Sequence, residues 1–232
     1  NGTVKKTPLV DFSRPRTSGL IAIELEEGNT LVGAAVTNGA SDVMLFQSGG
    51  RAIRFKEQDV RAMGRTARGV RGIKLPGNTE VISLIIPSPD GMILLASQNG
   101  YGKLTEVSEF STIGRGGQGV IAIKISERNG ELVGASQVES VDEVLLISDQ
   151  GTMVRTRVQE VSMQGRNTQG VRLINVDEDE HLVGMARIED PVDSEVSDES
   201  SDGGEESESD SSAAAIANDP SSGADSELPA DE

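Results

Sequence analysis

The chain has no cysteine and no tryptophan, and only one tyrosine, one histidine and four phenylalanines in 232 residues. Without cysteine, disulfides and thiolate metal sites are excluded, and a reducing cytoplasm fits. With so few aromatics, the core must be built from Val, Ile, Leu and Met. No apolar run approaches the ~20 residues that a membrane helix needs, so no membrane partner is expected. Lys5 and Lys6 are not followed by the apolar stretch of a secretion signal. Asn1, rather than Met, opens the sequence, as expected of a fragment or a processed chain.

Positive charge is missing from one region. Residues 189–232 carry 16 Asp and Glu and no Lys or Arg. Residues 1–188 carry the other 22 of the 38 acidic residues and all 21 basic ones, a net of −1, so the formal charge of −17 belongs almost wholly to the tail. From Pro191 onward Ser, Asp, Glu, Gly and Ala dominate. Such a segment buries too little apolar surface to offset its ordering entropy, and residues 191–232 are expected to be a disordered acidic tail. For the nearly neutral body, the distribution of charge must decide the partner.

What the body has in abundance is repetition. A turn glycine before a polar or basic strand recurs at Gly2, Gly50, Gly100 and Gly151, with spacings of 48, 50 and 51. A second glycine, after a polar loop and before an apolar strand, recurs at Gly19, Gly69, Gly119 and Gly170, with spacings of 50, 50 and 51. A third anchor begins at Leu31, Val81, Leu132 and Leu182, with spacings of 50, 51 and 50. Three independent anchors keeping one period identify a repeat architecture. Within a period, Val43–Phe46, the turn Gln47–Gly50 and the alternating Arg51–Phe55 form a hairpin signature. Gly69–Leu75 and Val81–Pro87 add two further strands. Four strands per ~50 residues, without helical periodicity, predict an all-β, propeller-like fold. The expected units are a partial blade over 1–39, then blades over 40–88, 89–139 and 140–190. Asn1-Gly2 matches the hairpin turn, so the first blade lacks its first strand.

Catalytic signals are weak. His181 lies in an acidic run at a strand start. Tyr101 is a possible nucleophile by chemistry, but it occupies the repeat position of Thr3, Arg51 and Thr152. Gly114–Gly119 lacks the Lys-Ser/Thr ending of a phosphate loop and reads as a turn between strands. No nucleophile elbow and no recurring carboxylate spacing for a metal is present.

Basic residues recur at two phases. One group lies on the second strand of each repeat: Lys5 and Lys6, then Arg51, Arg54 and Lys56, then Lys103, then Arg155 and Arg157. Residues two apart share a strand face, so Arg54 with Lys56, and Arg155 with Arg157, point the same way. The other group lies in the loop before the second glycine: Arg14 and Arg16, then Arg61, Arg65 and Arg68, then Arg115, then Arg166. Arg71 and Arg172 follow just inside the next strand. A lone basic residue at a strand edge also serves to block pairing with other chains. Recurrence in four phased copies points instead to a binding track. Without interleaved aromatics, that track suits duplex phosphates better than stacked single-strand bases. Backbone contact alone implies binding that tolerates any sequence.

Arg61–Gly64, Gly69–Ile73, Gln98–Lys103 and Gly165–Val171, in this order and at this period, resemble the carboxy-terminal domain of the DNA gyrase A subunit, over residues 1 to about 190. The resemblance implies a β-pinwheel, propeller-like, of which this chain holds about four blades and the tail. It implies that duplex DNA wraps on a basic outer rim. It implies a parent A2B2 enzyme, an ATP-dependent type II topoisomerase that introduces negative supercoils. The partners would be the amino-terminal breakage-reunion domain and the gyrase B subunit. ATP and Mg would belong to that holoenzyme, with no cofactor, metal or catalytic residue in this segment, and the setting would be the bacterial cytoplasm. The family's basic box, Gln-Arg-Arg-Gly-Gly-Lys-Gly, is not present. Its nearest echo is Arg115–Gly119, with Gln118 in place of Lys. The fragment is therefore expected not to cleave DNA and to wrap it poorly alone. The topoisomerase IV counterpart and a protein-binding propeller of the chromosome-condensation-regulator type remain alternatives.

Overall fold

A computed structural model describes residues 1–189. The tail expected over 191–232 lies outside the described residues. The elements, in order, are β1 (Thr3–Val4), β2 (Asp42–Gln47), β3 (Arg51–Lys56), β4 (Val70–Arg71), β5 (Val81–Ile85), β6 (Met92–Ser97), β7 (Tyr101–Glu106), β8 (Val120–Ile121), β9 (Leu132–Val138), β10 (Glu143–Ser148), β11 (Met153–Arg157), β12 (Val171–Arg172) and β13 (Leu182–Ile188). Among the described residues the helical segments are single 3-10 turns, at Leu9–Phe12, Glu57–Asp59, Val107–Glu109 and Val158–Glu160.

Each later repeat contributes four strands, but not to one sheet. β2 and β3 form a hairpin, and β5 pairs with the far side of β2. The fourth strand of this sheet is β8, from the next repeat. The following sheet has the order β9-β6-β7-β12, again completed from the next repeat. β4 in turn pairs with β1, and β13-β10-β11 makes a three-stranded sheet. Every donated strand is only two residues long (Val70–Arg71, Val120–Ile121, Val171–Arg172), although the apolar runs suggest longer ones. Just past it the backbone turns back across the hairpin glycine. Gly2 O accepts N–H bonds from Gly72 and Ile73. Gly50 O accepts from Ala122 and Ile123, and Gly100 O accepts from Leu173 and Ile174.

These contacts explain why glycine recurs at the hairpin. Gly50 and Gly100 have φ of +77° and +78°, a region costly for other residues. The donated segment also leaves no room for a side chain. A Cβ on Gly100 would lie 2.4 Å from Ile174 O, and one on Gly50 would lie 2.4 Å from Ile123 O. Gly151 has the same φ sense, at +87°, but no described atom comes within 4 Å of a Cβ placed there.

The core lies between sheets. Met44 and Phe46 on one face of β2 pack with Ile93, Leu95 and Phe110 of the next repeat. The Phe46 and Phe110 rings meet edge to face at 5.9 Å. Val43 and Leu45, on the other face of β2, pack with Ile73, and Val4 of the first repeat joins them. With both faces covered, every residue of β2 is buried, which is why this strand reads as a continuous apolar run rather than an alternation. β10 is buried only at alternate residues; among the described residues only one of its faces is covered. Leu31–Gly33, expected as a strand, forms none. Its counterparts β5, β9 and β13 each pair with the first hairpin strand of their own repeat, and the first repeat has no such strand among the described residues. Leu31, Val32 and Val36 are accordingly exposed.

Gly151→Ala should cost about 1–2 kcal/mol, from backbone conformation alone. Gly100→Ala should cost a further ~1–3 kcal/mol, because the donated strand must shift. Urea denaturation of the two variants measures the difference; equal losses would contradict strand donation at Gly100.

Candidate nucleic-acid interface

The sequence-predicted basic residues fall into three environments. On β3, Arg54 Nε lies 2.7 Å from Asp42 Oδ2, and Lys56 Nζ lies 2.7 Å from Asp42 Oδ1. Register causes this, since Asp42 lies directly opposite Lys56 across the hairpin. Burial alone would raise the Asp42 carboxyl, but hydrogen bonds from Lys56 and Arg54 hold it below the ordinary carboxylate range. β11 repeats the arrangement: Arg155 pairs with Glu143, and Arg157 lies 3.9 Å from the same carboxylate. Lys6 pairs with Glu57 at 3.6 Å and Arg68 with Glu24 at 2.9 Å. These cations are present but partly neutralised within the protein.

The second environment is inside. Lys103 is fully buried, which corrects its assignment to an exposed track. It lies at a position of β7 that the donated loop covers. Its ammonium donates to Gly165 O and Arg166 O, both at 2.6 Å, and to Thr168 Oγ1 at 3.1 Å. Lys5, three residues after its hairpin glycine like Lys103, makes the same kind of contact two seams earlier. It is half-buried, and its ammonium donates to Arg65 O and Ala22 O. Both lysines gather loop carbonyls, and Lys103 is the one withdrawn from solvent.

The third environment is the exposed one. Arg14, Arg16 and Arg61 are exposed and make no ion pair among the described residues. Arg51 is half-buried, and its guanidinium donates to Gln118 O and Gly119 O. Arg65, Arg115 and Arg166 are half-buried, their guanidiniums on backbone carbonyls. Arg166 also lies 4.0 Å from Glu109.

The seams add residues that phase analysis of single repeats undervalues. Where a donated strand begins to pair, the cross-strand partners are Thr3 with Arg71, Arg51 with Ile121, and Tyr101 with Arg172. Each pair carries one guanidinium, from either side of the seam. Arg71 and Arg172 are exposed. Arg128 joins the third seam: its guanidinium lies 4.7 Å from the Tyr101 ring centroid, while Arg172 donates to Tyr101 Oη at 2.8 Å. Arg128 and Arg172 together hold the phenol below its ordinary range. Tyr101 is buried between cations, a packing role rather than that of an exposed nucleophile.

Burial is the main cause, and the nearby Arg166 charge the second, that lowers Lys103 to about 8. The unfolded chain, with an ordinary lysine near 10.5, therefore binds this proton more tightly between those values. It follows that stability must rise with pH through the interval. Relative to Lys103→Met, the wild-type chain should gain stability from about pH 8 to about pH 10.5 in urea titrations. A difference that stays constant or shrinks would contradict a buried ammonium.

The family described as DNA gyrase C-terminal domain, beta-propeller, matches residues 1–38, 41–88, 91–139 and 142–189. The DNA gyrase A subunit of Salmonella typhimurium is 57% identical over 195 residues, covering 84% of this chain and 22% of that protein. The Pseudomonas aeruginosa protein of the same name is 60% identical over 190 residues, covering 82% and 21%. The chain thus spans about a fifth of the length of these relatives. A solved DNA gyrase A C-terminal domain superposes with a TM-score of 0.70 at 28% identity, covering 80% of this chain and 62% of that one. The C-terminal domain of DNA topoisomerase IV superposes with a TM-score of 0.76 at 26% identity, covering 82% and 59%. Backbone shape does not separate the two kinds of domain; the matching family model and the relatives at 57% and 60% identity are those of gyrase. The chain belongs to the DNA gyrase C-terminal domain family, a β-propeller of strand-exchanging blades.

Proposed function

We propose that this chain binds and wraps duplex DNA, largely without regard to sequence, as the non-catalytic part of a type II topoisomerase that introduces negative supercoils. The observation that carries the reading is the seam series Arg71, Arg51 and Arg172, one guanidinium at each of three successive seams. Arg14, Arg16 and Arg61, exposed and without an ion pair among the described residues, extend it. A guanidinium offers donors that match phosphate oxygens, and a series of them neutralises phosphates at spaced points. Contacts to phosphate fix the path of DNA and carry no sequence information. The names of the relatives support the wider setting. In it, this segment joins a breakage-reunion domain on the same polypeptide, together with a gyrase B partner that uses ATP and Mg. The enzyme works in the bacterial cytoplasm, on the chromosome.

The strand pairs Arg54/Lys56 and Arg155/Arg157 have a smaller share in this reading, because Asp42 and Glu143 already neutralise part of their charge. The 16 carboxylates of residues 189–232 compete with phosphate for the same cations.

Binding of the full chain to two unrelated duplexes, measured against salt, tests the proposal. Log affinity should fall with log salt with a slope of about −3 or steeper, alike for both, as roughly 0.9 per neutralised phosphate predicts. Arg71→Gln with Arg172→Gln should flatten that slope by about 2. A flat slope, or strong preference for one duplex, would refute the reading. Removal of residues 191–232 should tighten binding at low salt and have little effect at high salt; unchanged affinity at low salt would remove the tail from the account.

A further inference from the structure

Three arginines at one phase of the repeat share a contact that charge alone does not explain. Arg65, Arg115 and Arg166 each stand four residues before the second glycine of their repeat, at Gly69, Gly119 and Gly170. Arg65 Nη1 donates to Ile21 O at 3.4 Å, Arg115 Nη1 to Arg71 O at 3.0 Å, and Arg166 Nη1 to Ile121 O at 3.0 Å. The acceptors Ile21, Arg71 and Ile121 are themselves spaced by 50 and 50 residues. The same bond is therefore made three times, between the same two places in successive repeats.

For Arg115 and Arg166 the two ends of that bond belong to different sheets; Ile21, the acceptor of Arg65, lies outside any strand. The loop holding Arg115 runs beside β3, where Thr112 bridges to Arg54. Its acceptor, Arg71, lies on β4, in the preceding sheet. The loop holding Arg166 runs beside β7, where Met163 bridges to Leu104. Its acceptor, Ile121, lies on β8, in the sheet of β2 and β3. The near side of each guanidinium touches the turn of its own sheet: Arg115 Nε donates to Asp59 O at 2.8 Å, and Arg166 Nε lies 4.0 Å from Glu109, the matching turn residue. A planar group with several donors in fixed directions can span two such acceptors; a lysine ammonium, a compact charge on a flexible stem, cannot hold both. Backbone bonds run alongside. Gly116 N–H donates to Gly72 O, Lys74 N–H to Gly117 O, and Lys124 N–H to Thr168 O. Lys5 and Lys103 fix the loop itself through the carbonyls of Arg65 and Arg166.

We infer that Arg65, Arg115 and Arg166 are inter-blade clasps that set the spacing and angle between successive sheets, and so the curvature imposed on bound DNA, rather than acting mainly as phosphate contacts. They are positioning residues for the wrapping proposed above, and the inference rests on that reading. The seam arginines Arg71 and Arg172 hold phosphates; the clasp arginines decide where consecutive seams lie.

Replacement by lysine, which keeps the charge, separates the two roles. Three full-length chains serve: wild type, Arg115→Lys with Arg166→Lys, and Arg71→Lys with Arg172→Lys as a control in exposed seam cations. The first readout needs no DNA. Hydrogen exchange at the Lys74, Gly116 and Lys124 amides should quicken about tenfold in the clasp variant, the scale expected when a charged hydrogen bond is lost, and stay unchanged in the control. The second readout is the bend of an end-labelled duplex by energy transfer. The clasp variant should bind linear duplex within about threefold of wild type with an unchanged salt slope, yet bend it less when saturated; the control, with its phosphate contacts altered, should bind more weakly and, once saturated, bend the duplex more than the clasp variant does. Arg115→Lys alone, whose loop is not held by a lysine, provides the measurement should the double variant fail to fold. Unchanged exchange and unchanged bending would overturn the inference. So would full bending in the lysine variants that is lost only in Arg115→Gln with Arg166→Gln, since charge alone would then suffice. If the wild-type chain shows no salt-dependent binding, the DNA reading fails, while the exchange result still decides whether the clasps exist.

Discussion

The structure depends on one arrangement: among the described residues, three of the four sheets take a strand from the next repeat, and in those three the hairpin glycine accepts two backbone N–H bonds from the segment just past the donated strand. Gly50 O, held by Ala122 and Ile123, and Gly100 O, held by Leu173 and Ile174, are the joints of the molecule. A repeat cannot complete its sheet alone, so order in one blade depends on order in the next. The apolar core follows the same rule. Phe46 belongs to one repeat and Phe110 to the next, and their edge-to-face contact lies between sheets rather than within one. Where a partner is missing among the described residues the pattern loosens: Leu31–Gly33 keeps the sequence of a strand without forming one, and Gly151 faces open space.

Much of this was legible in the sequence, and for a physical reason. Positive φ and the close approach of a donated strand both demand glycine, so the two glycine series mark the period with little noise. β2 and β6 are apolar on both faces because sheets cover both, which makes their runs easy to find. What stayed hidden was the exchange itself. A two-residue strand such as Val120–Ile121 has no periodicity, and nothing local says that its partner is Arg51, about 70 residues earlier.

The interface was less legible than the fold. Lys103 folds inward although it has the sequence phase of a surface residue: its neighbours are the carbonyls of a loop some 60 residues away. Phasing also undervalued Arg71 and Arg172, because each seam draws its guanidinium from either of two repeats. Thr3 is compensated by Arg71, Ile121 by Arg51 and Tyr101 by Arg172. Comparison of repeats position by position sees loss of charge; comparison of paired positions sees its retention. The strand cations Arg54, Lys56, Arg155 and Arg157 were correctly grouped by face, but the carboxylate opposite them, Asp42 or Glu143, becomes a partner only once the register is known.

The central claim is that duplex phosphate lies along the seams. Modification of arginines by phenylglyoxal, read residue by residue by mass spectrometry with and without duplex DNA, tests it most directly. Arg71 and Arg172 should be protected together at low salt, whichever duplex is used, and both should regain their free rates as salt releases the DNA. Modification of both at the free rate while DNA is bound would contradict the claim.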